Sequence, residues 1–184
     1  MNRALTRIPV AFLAGLALLT ASCSDGATGT PTPGLTTASE STSTTSATTA
    51  SVLANVDPCD LLSSAEVTQL GLTDPGEGKR VGGAETCGWK VSGNGGLLAA
   101  LNPEKGFADL DYRGEDVSPT KAGKYDAQLV KAHNGAENIC HVVIDVSESS
   151  SVQIIANLTA SSTDTAAACT RATRAAELIA PKLP

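Results

Sequence analysis

The chain has 184 residues, with 13 Lys and Arg against 19 Asp and Glu, for a formal net charge of −6. An acidic balance of that size excludes proteins that hold nucleic acid or anionic lipid surfaces through basic patches. Only 3% of the residues are aromatic, so any core must be built mainly from Val, Ile, Leu and Ala.

The first element in chain order is a leader. Arg3 and Arg7 precede an apolar run from Ile8 to Leu19. That run has the length of a signal h-region and is too short to span a bilayer as a helix. Leu19-Thr20-Ala21-Ser22-Cys23 follows, and it resembles a bacterial lipobox, in which the chain is cut before a cysteine whose thiol carries a diacylglycerol. On this reading residues 1–22 are the signal peptide and Cys23 is the lipidation site, placing the protein on the extracytoplasmic face of the cell membrane. Loss of Arg3 and Arg7 with the leader would bring the net charge to −8. Sixteen of residues 24–55 are Ser or Thr, broken by Pro31 and Pro33. Such a segment has too little apolar surface to offset the entropy of ordering, so residues 23–55 read as the lipidated cysteine and a disordered linker. Its root-mean-square span would be roughly 30 Å.

Residues 56–184 are long enough for one globular domain. Asp57 and Pro58 suit a helix start, and Ser63 with Glu66 suits a capping box restarting the helix through Leu70, with Gly71 as the stop. Residues 73–85 contain Asp74-Pro75-Gly76, Gly78, Gly82 and Gly83, which reads as loop with at most a short strand at Lys79–Val81. Cys87–Val91 and Leu97–Leu101 read as a hairpin across Ser92-Gly93-Asn94-Gly95-Gly96. Residues 103–123 read as charged and irregular. Tyr125–Ala132, Cys140–Val146 and Val152–Leu158 alternate in polarity and read as a three-strand meander. A helix capped at Thr163 or Asp164 then presents Cys169, Ala172, Ala176 and Ile179 on one stripe, with Arg171 and Arg174 toward solvent and Pro181 ending it. The fold class is α+β: an antiparallel sheet of about five strands packed with an N-terminal and a C-terminal helix.

Asp57-Pro58-Cys59-x-Leu61-Leu62, Glu66, Leu70-Gly71, Cys87-x-Trp89, Cys140-x-Val142 and a cysteine in a C-terminal helix ending at Leu183-Pro184 form an ordered series. The series resembles the actinobacterial lipoproteins grouped as domain of unknown function 3558 (DUF3558). It departs from them in having Ala167-Ala168 before Cys169. The resemblance implies a cell-envelope lipoprotein and points to no catalytic residue, metal, cofactor or ligand.

Cys59, Cys87, Cys140 and Cys169 make an even number in an exported domain, which predicts two disulfides. Cys87 and Cys140 each open a strand beside an apolar neighbour, and Cys59 and Cys169 each lie near a helix start. This favours Cys59–Cys169 with Cys87–Cys140; the sequential pairing, Cys59–Cys87 with Cys140–Cys169, is the alternative.

The sequence carries no known catalytic motif. His141 shares a strand face with Asp145, which a Ser-His-Asp site would require, but a half-exposed sheet histidine is the plainer reading. Asp109, Asp111, Glu115 and Asp116 cluster around Tyr112. They lack the glycine and closing glutamate of a calcium loop and read as a solvated acidic loop. Trp89, on the face of Cys87, reads as core rather than as a sugar platform. The function expected is a non-enzymatic binding module for an envelope protein or cell-wall component, with no nucleic-acid partner. The alternatives are a small-ligand carrier with a pocket between sheet and helices and, behind it, a hydrolase.

Overall fold

A computed structural model of the chain describes residues 51–113 and 115–184. The leader, Cys23 and most of the linker lie outside them. Elements follow in the order α1 (Ser64–Gln69), β1 (Thr73–Val81), β2 (Ala84–Lys90), β3 (Gly96–Asn102), β4 (Asp116–Ala122), β5 (Tyr125–Lys131), β6 (Ile139–Ser147), β7 (Ser150–Asn157) and α2 (Thr165–Ile179). The seven strands form one antiparallel sheet in the order β1-β2-β3-β7-β6-β5-β4. Two meanders, β1–β3 and β4–β7, are thus joined edge to edge by the β3–β7 pair. No helix among the described residues is long and apolar enough to cross a membrane.

The sheet has two more strands than the sequence predicts, and both extra strands are its edges. β1 contains Pro75, Gly76 and Gly78, and its register breaks between Thr73 and Glu77. β4 contains Pro119, opposite Gln128. Proline has no backbone N–H to donate to a ladder, so it is tolerated in a sheet at an edge, where it also blunts pairing with other chains. Gly76 is needed for packing: a Cβ there would lie 2.5 Å from Trp89 Nε1 and 2.6 Å from Cys87 Sγ.

One face of the sheet is fully covered. Trp89, Leu97, Leu101, Ile144, Val152 and Ile154 point into a single core, where each buried aliphatic side chain contributes about 1.5–3 kcal/mol. α2 covers β6 and β7 with an alanine stripe, Ala172, Ala175 and Ala176, ending at Ile179. These small residues let helix and sheet approach closely, and Ala172, Ala175, Ala176 and Ile179 are fully buried there. Asp164 caps α2 by accepting from Ala167 N–H at 2.9 Å.

The N-terminal segment covers the other half of this face. It is a 3-10 turn (Pro58–Leu61) and the six-residue α1 rather than a helix comparable to α2. Ser63 and Glu66 form the expected capping box. The turn at residues 51–55, read from sequence as the end of the linker, is part of this layer: Leu53 is 2% exposed.

Both disulfides follow the sequential pairing, Cys59–Cys87 and Cys140–Cys169, which corrects the favoured one. Cys87 and Cys140 do face the same side of the sheet, but they pack in different clusters and β3 and β7 lie between their strands. Three strand spacings separate them, roughly 14 Å, whereas a bridge needs Cα atoms within about 7 Å. Each cysteine is instead joined to the segment that covers its own half of the sheet. Arg171 also departs from expectation. It turns back over the sheet end, where its guanidinium donates to Asn157 O at 2.8 Å and Asn94 O at 2.9 Å. Arg174 is exposed as expected.

Candidate functional site

The sheet's outer face is covered over only half its width, and the strand order is the reason. β3 leaves the middle of the sheet and β4 begins at the far edge, so the connecting residues 103–113 run across the outer face of β6 and β5. Gly106 anchors this crossover against the carbonyl of Glu148 in the β6–β7 hairpin, where a Cβ would clash. Ser151 Oγ donates to Lys105 O at 2.8 Å. Phe107, Leu110 and Tyr112 then close over Val130 and Val143.

The uncovered half is read from the register. Gly88, Leu98, Ile155, His141 and Val130 form one row across five strands. Thr86, Ala100, Gln153, Val143 and Gln128 form the next. Where the crossover stops, these rows border a groove of about 340 Å³, walled by Leu98, Ala100, Ile155 and Leu110, with Tyr112 and His141 at one end.

His141 is 6% exposed, so it is a buried histidine, not the half-exposed one expected. Its Nδ1 lies 2.8 Å from the Tyr112 hydroxyl. The His133 ring is 4.7 Å from the His141 ring and 5.4 Å from Tyr112, and Phe107 stacks on the other side of Tyr112 at 5.7 Å. Ala132 and Asn134, on either side of His133, have φ of +49° and +55°. For the alanine that left-handed conformation costs roughly 1–2 kcal/mol, a strain that holds His133 against His141. Glu115 accepts from Asn134 N–H at 3.1 Å and lies 3.2 Å from His133 Nδ1, off the ring's hydrogen-bond direction, so that Nδ1 has no hydrogen-bond partner.

Burial pushes the His141 imidazole down to about 4, and the neighbouring His133 adds to this. Burial also raises the Tyr112 phenol, helped by Glu115. At neutral pH both are therefore uncharged. The phenol donates this bond in the Nε2–H tautomer of His141, and the imidazole donates it in the Nδ1–H tautomer. Among the described residues the buried side-chain atoms without a hydrogen-bond partner are Asn102 Nδ2 and His133 Nδ1, and both residues line the groove. The arrangement brings a neutral imidazole and a phenol to a groove whose lining mixes Leu98, Ile155 and Leu110 with Thr86, Asn102, Lys105 and Gln153.

The other sequence candidates are not assembled here. Asp145 shares the face of His141 but lies four residues along β6, about 13 Å away. Burial raises its carboxyl, partly offset by the backbone N–H of Phe107. The acidic residues are engaged one by one: Asp109 with Gly106 N–H, Asp111 with Arg113, Glu115 with Asn134, Asp116 with Lys131. Trp89, 3% exposed, belongs to the core. The two partners of His141 carried no local signal. Tyr112 sits among acids and His133 in a turn, and only the crossover and the strained turn bring them together.

A family model described as "Protein of unknown function (DUF3558)" matches residues 18–182. No curated protein and no solved structure matches the chain. With nearly its whole length matched, the chain belongs to the DUF3558 family.

Proposed function

For this member of the family we infer a cell-envelope lipoprotein, anchored to the extracytoplasmic face of the cell membrane through acylated Cys23, whose domain is a non-enzymatic binding module. The leader, the lipobox-like Leu19–Cys23 and the Ser/Thr-rich stretch after it support the anchor and tether. Two or three acyl chains hold a protein stably at a membrane where one holds it only marginally. The observation that carries the binding reading is the half-covered outer face. Buried His141 and Asn102, whose Nδ2 has no partner among the described residues, line a groove walled by Leu98 and Ile155, whereas the opposite face is closed by helix and disulfides. Ligand sites combine an apolar wall with a few fixed polar groups in this way.

The test places a photo-reactive residue at Leu98 in the full chain, expressed in its own envelope, with the same residue at exposed Arg174 as control. Specific capture from Leu98 and not from Arg174 is the expected result. Equal capture at both positions, or none from Leu98, contradicts the reading.

A further inference from the structure

We propose that the groove binds an N-acyl amino acid, whose carboxylate, amide and aliphatic tail lie in that order along the strands, with the carboxylate at Asn102 and Lys105. This deepens the binding reading above and rests on it. Three observations set the order.

The first is the head. Asn102 lines the groove, and its Nδ2 is buried without a partner among the described residues. A buried N–H without an acceptor costs about as much as a lost hydrogen bond, so an occupant that brings it an oxygen is favoured. Ser151, opposite Asn102 in the β3–β7 ladder, holds the Lys105 carbonyl and so brings Lys105 to the same end. Lys105 pairs with no acid among the described residues. An anionic oxygen answers both groups at once.

The second is the gradient along the strands. Same-face positions on a strand are roughly 7 Å apart. One such step from Asn102 comes the row of Thr86, Ala100 and Gln153, and one step further come Leu98 and Ile155. Thr86 Oγ1 donates to Ala84 O at 3.2 Å and keeps lone pairs for an incoming N–H, while Gln153 carries an amide of its own. The groove thus changes from cationic through hydrogen-bonding to aliphatic. At about 340 Å³ it is small for a ligand site, which limits the acyl chain to about six carbons. Extended N-hexanoylglycine, roughly 10 Å long at standard bond lengths, matches that span.

The third is the direction. Acids stand at the other end, where Tyr112 meets His141 beside Ile155. Glu115 lies 3.2 Å from His133 Nδ1 there, and Asp111, paired with Arg113, precedes Tyr112. A ligand carboxylate at that end would meet like charge, so the acid head belongs at Lys105 and the tail on Leu98 and Ile155.

The experiment titrates N-hexanoylglycine into the full chain in zwitterionic lipid nanodiscs, with nitrogen-15 in its Asn and Gln side chains and affinities referred to free ligand. Saturable binding that moves the Asn102 and Gln153 amide signals is expected. It should be at least about fivefold tighter than binding of the methyl ester, which lacks the charge, of octanoate, which lacks the amide, and of N-acetylglycine, which lacks the tail. Lys105→Gln, at an exposed position, should bring the acid to the affinity of the ester and leave the ester unchanged. Asn102→Ala should weaken acid and ester alike, several-fold. No saturable binding, an unmoved Asn102 signal, or any of the three controls binding as tightly as the acid overturns the proposal. So does tighter binding of acetyl-Leu-Gly, which would assign the groove to a peptide end. If capture from Leu98 succeeds while N-hexanoylglycine does not bind, this inference falls and the binding reading stands. If N-hexanoylglycine binds without capture from Leu98, the envelope reading falls instead.

Discussion

The two faces of the sheet are built on different terms. The inner face carries Trp89, Leu97, Ile144 and Ile154 under two covering segments, each tied to the sheet by its own disulfide. Each bridge closes a loop of about thirty residues, which the entropy model values at roughly 3.5 kcal/mol. The outer face has one crossover, a buried histidine–tyrosine pair and a groove along which Leu98 and Ile155 are only half-buried. Stability is concentrated on one side, which frees the other to hold polar groups that a purely structural face would exclude.

Core substitutions give the largest contrast. Ile179→Ala removes a fully buried side chain between α2 and the sheet and should cost about 2–5 kcal/mol. Ile155→Ala, on the half-exposed outer row, should cost about 1 kcal/mol. Denaturant unfolding of both variants measures the difference, and similar costs would mean that the outer face is a core surface after all.

The faces should also separate on a pH scale. His141 has its folded value near 4 against 6.5 unfolded, so the unfolded chain binds more protons between those limits. Stability is then lost as pH falls from about 6.5 to 4, by on the order of 3 kcal/mol. Glu66, on the covered side, is held at about 2 by its hydrogen bond to Lys182, so its contribution is lost only as pH falls from about 4.5 to 2. In a pH series of unfolding midpoints, His141→Phe should flatten the upper window and leave the lower one. A Glu66→Gln variant should do the reverse. If His141→Phe leaves the upper slope intact, the buried neutral histidine is wrong.

Tyr112→Phe deletes the hydroxyl that joins the crossover to β6 and should cost about 1–2 kcal/mol. Amide hydrogen exchange should quicken across residues 103–113 and stay unchanged in α2. Uniform quickening would show that the crossover is not a separate layer.

Legibility in the sequence followed the same division. β2, β3, β5, β6 and β7 are interior strands, and alternation such as Cys140, Val142, Ile144 against His141, Val143, Asp145 marks them clearly. β1 and β4 are edges, whose Pro75, Gly76 and Pro119 serve to prevent further pairing and so resemble loop. The capping box and the Asp164 cap were legible because they are local. The cysteine pairing was not, because it depends on β3 joining β7, a contact between residues 49 to 61 positions apart. The site follows the same logic. His141 and its face could be read from one strand, but Tyr112 and His133 reach it only through the crossover and the strained turn.

The most direct test of the central claim compares fold and binding in one variant. Leu98→Asp puts a charge on the groove wall, at a half-buried position, and should lower stability by about 1–3 kcal/mol. With a photo-reactive residue at Ile155 in the full chain, the account predicts a domain that still unfolds cooperatively and loss of capture from the envelope. Capture undiminished in a folded Leu98→Asp protein would contradict it.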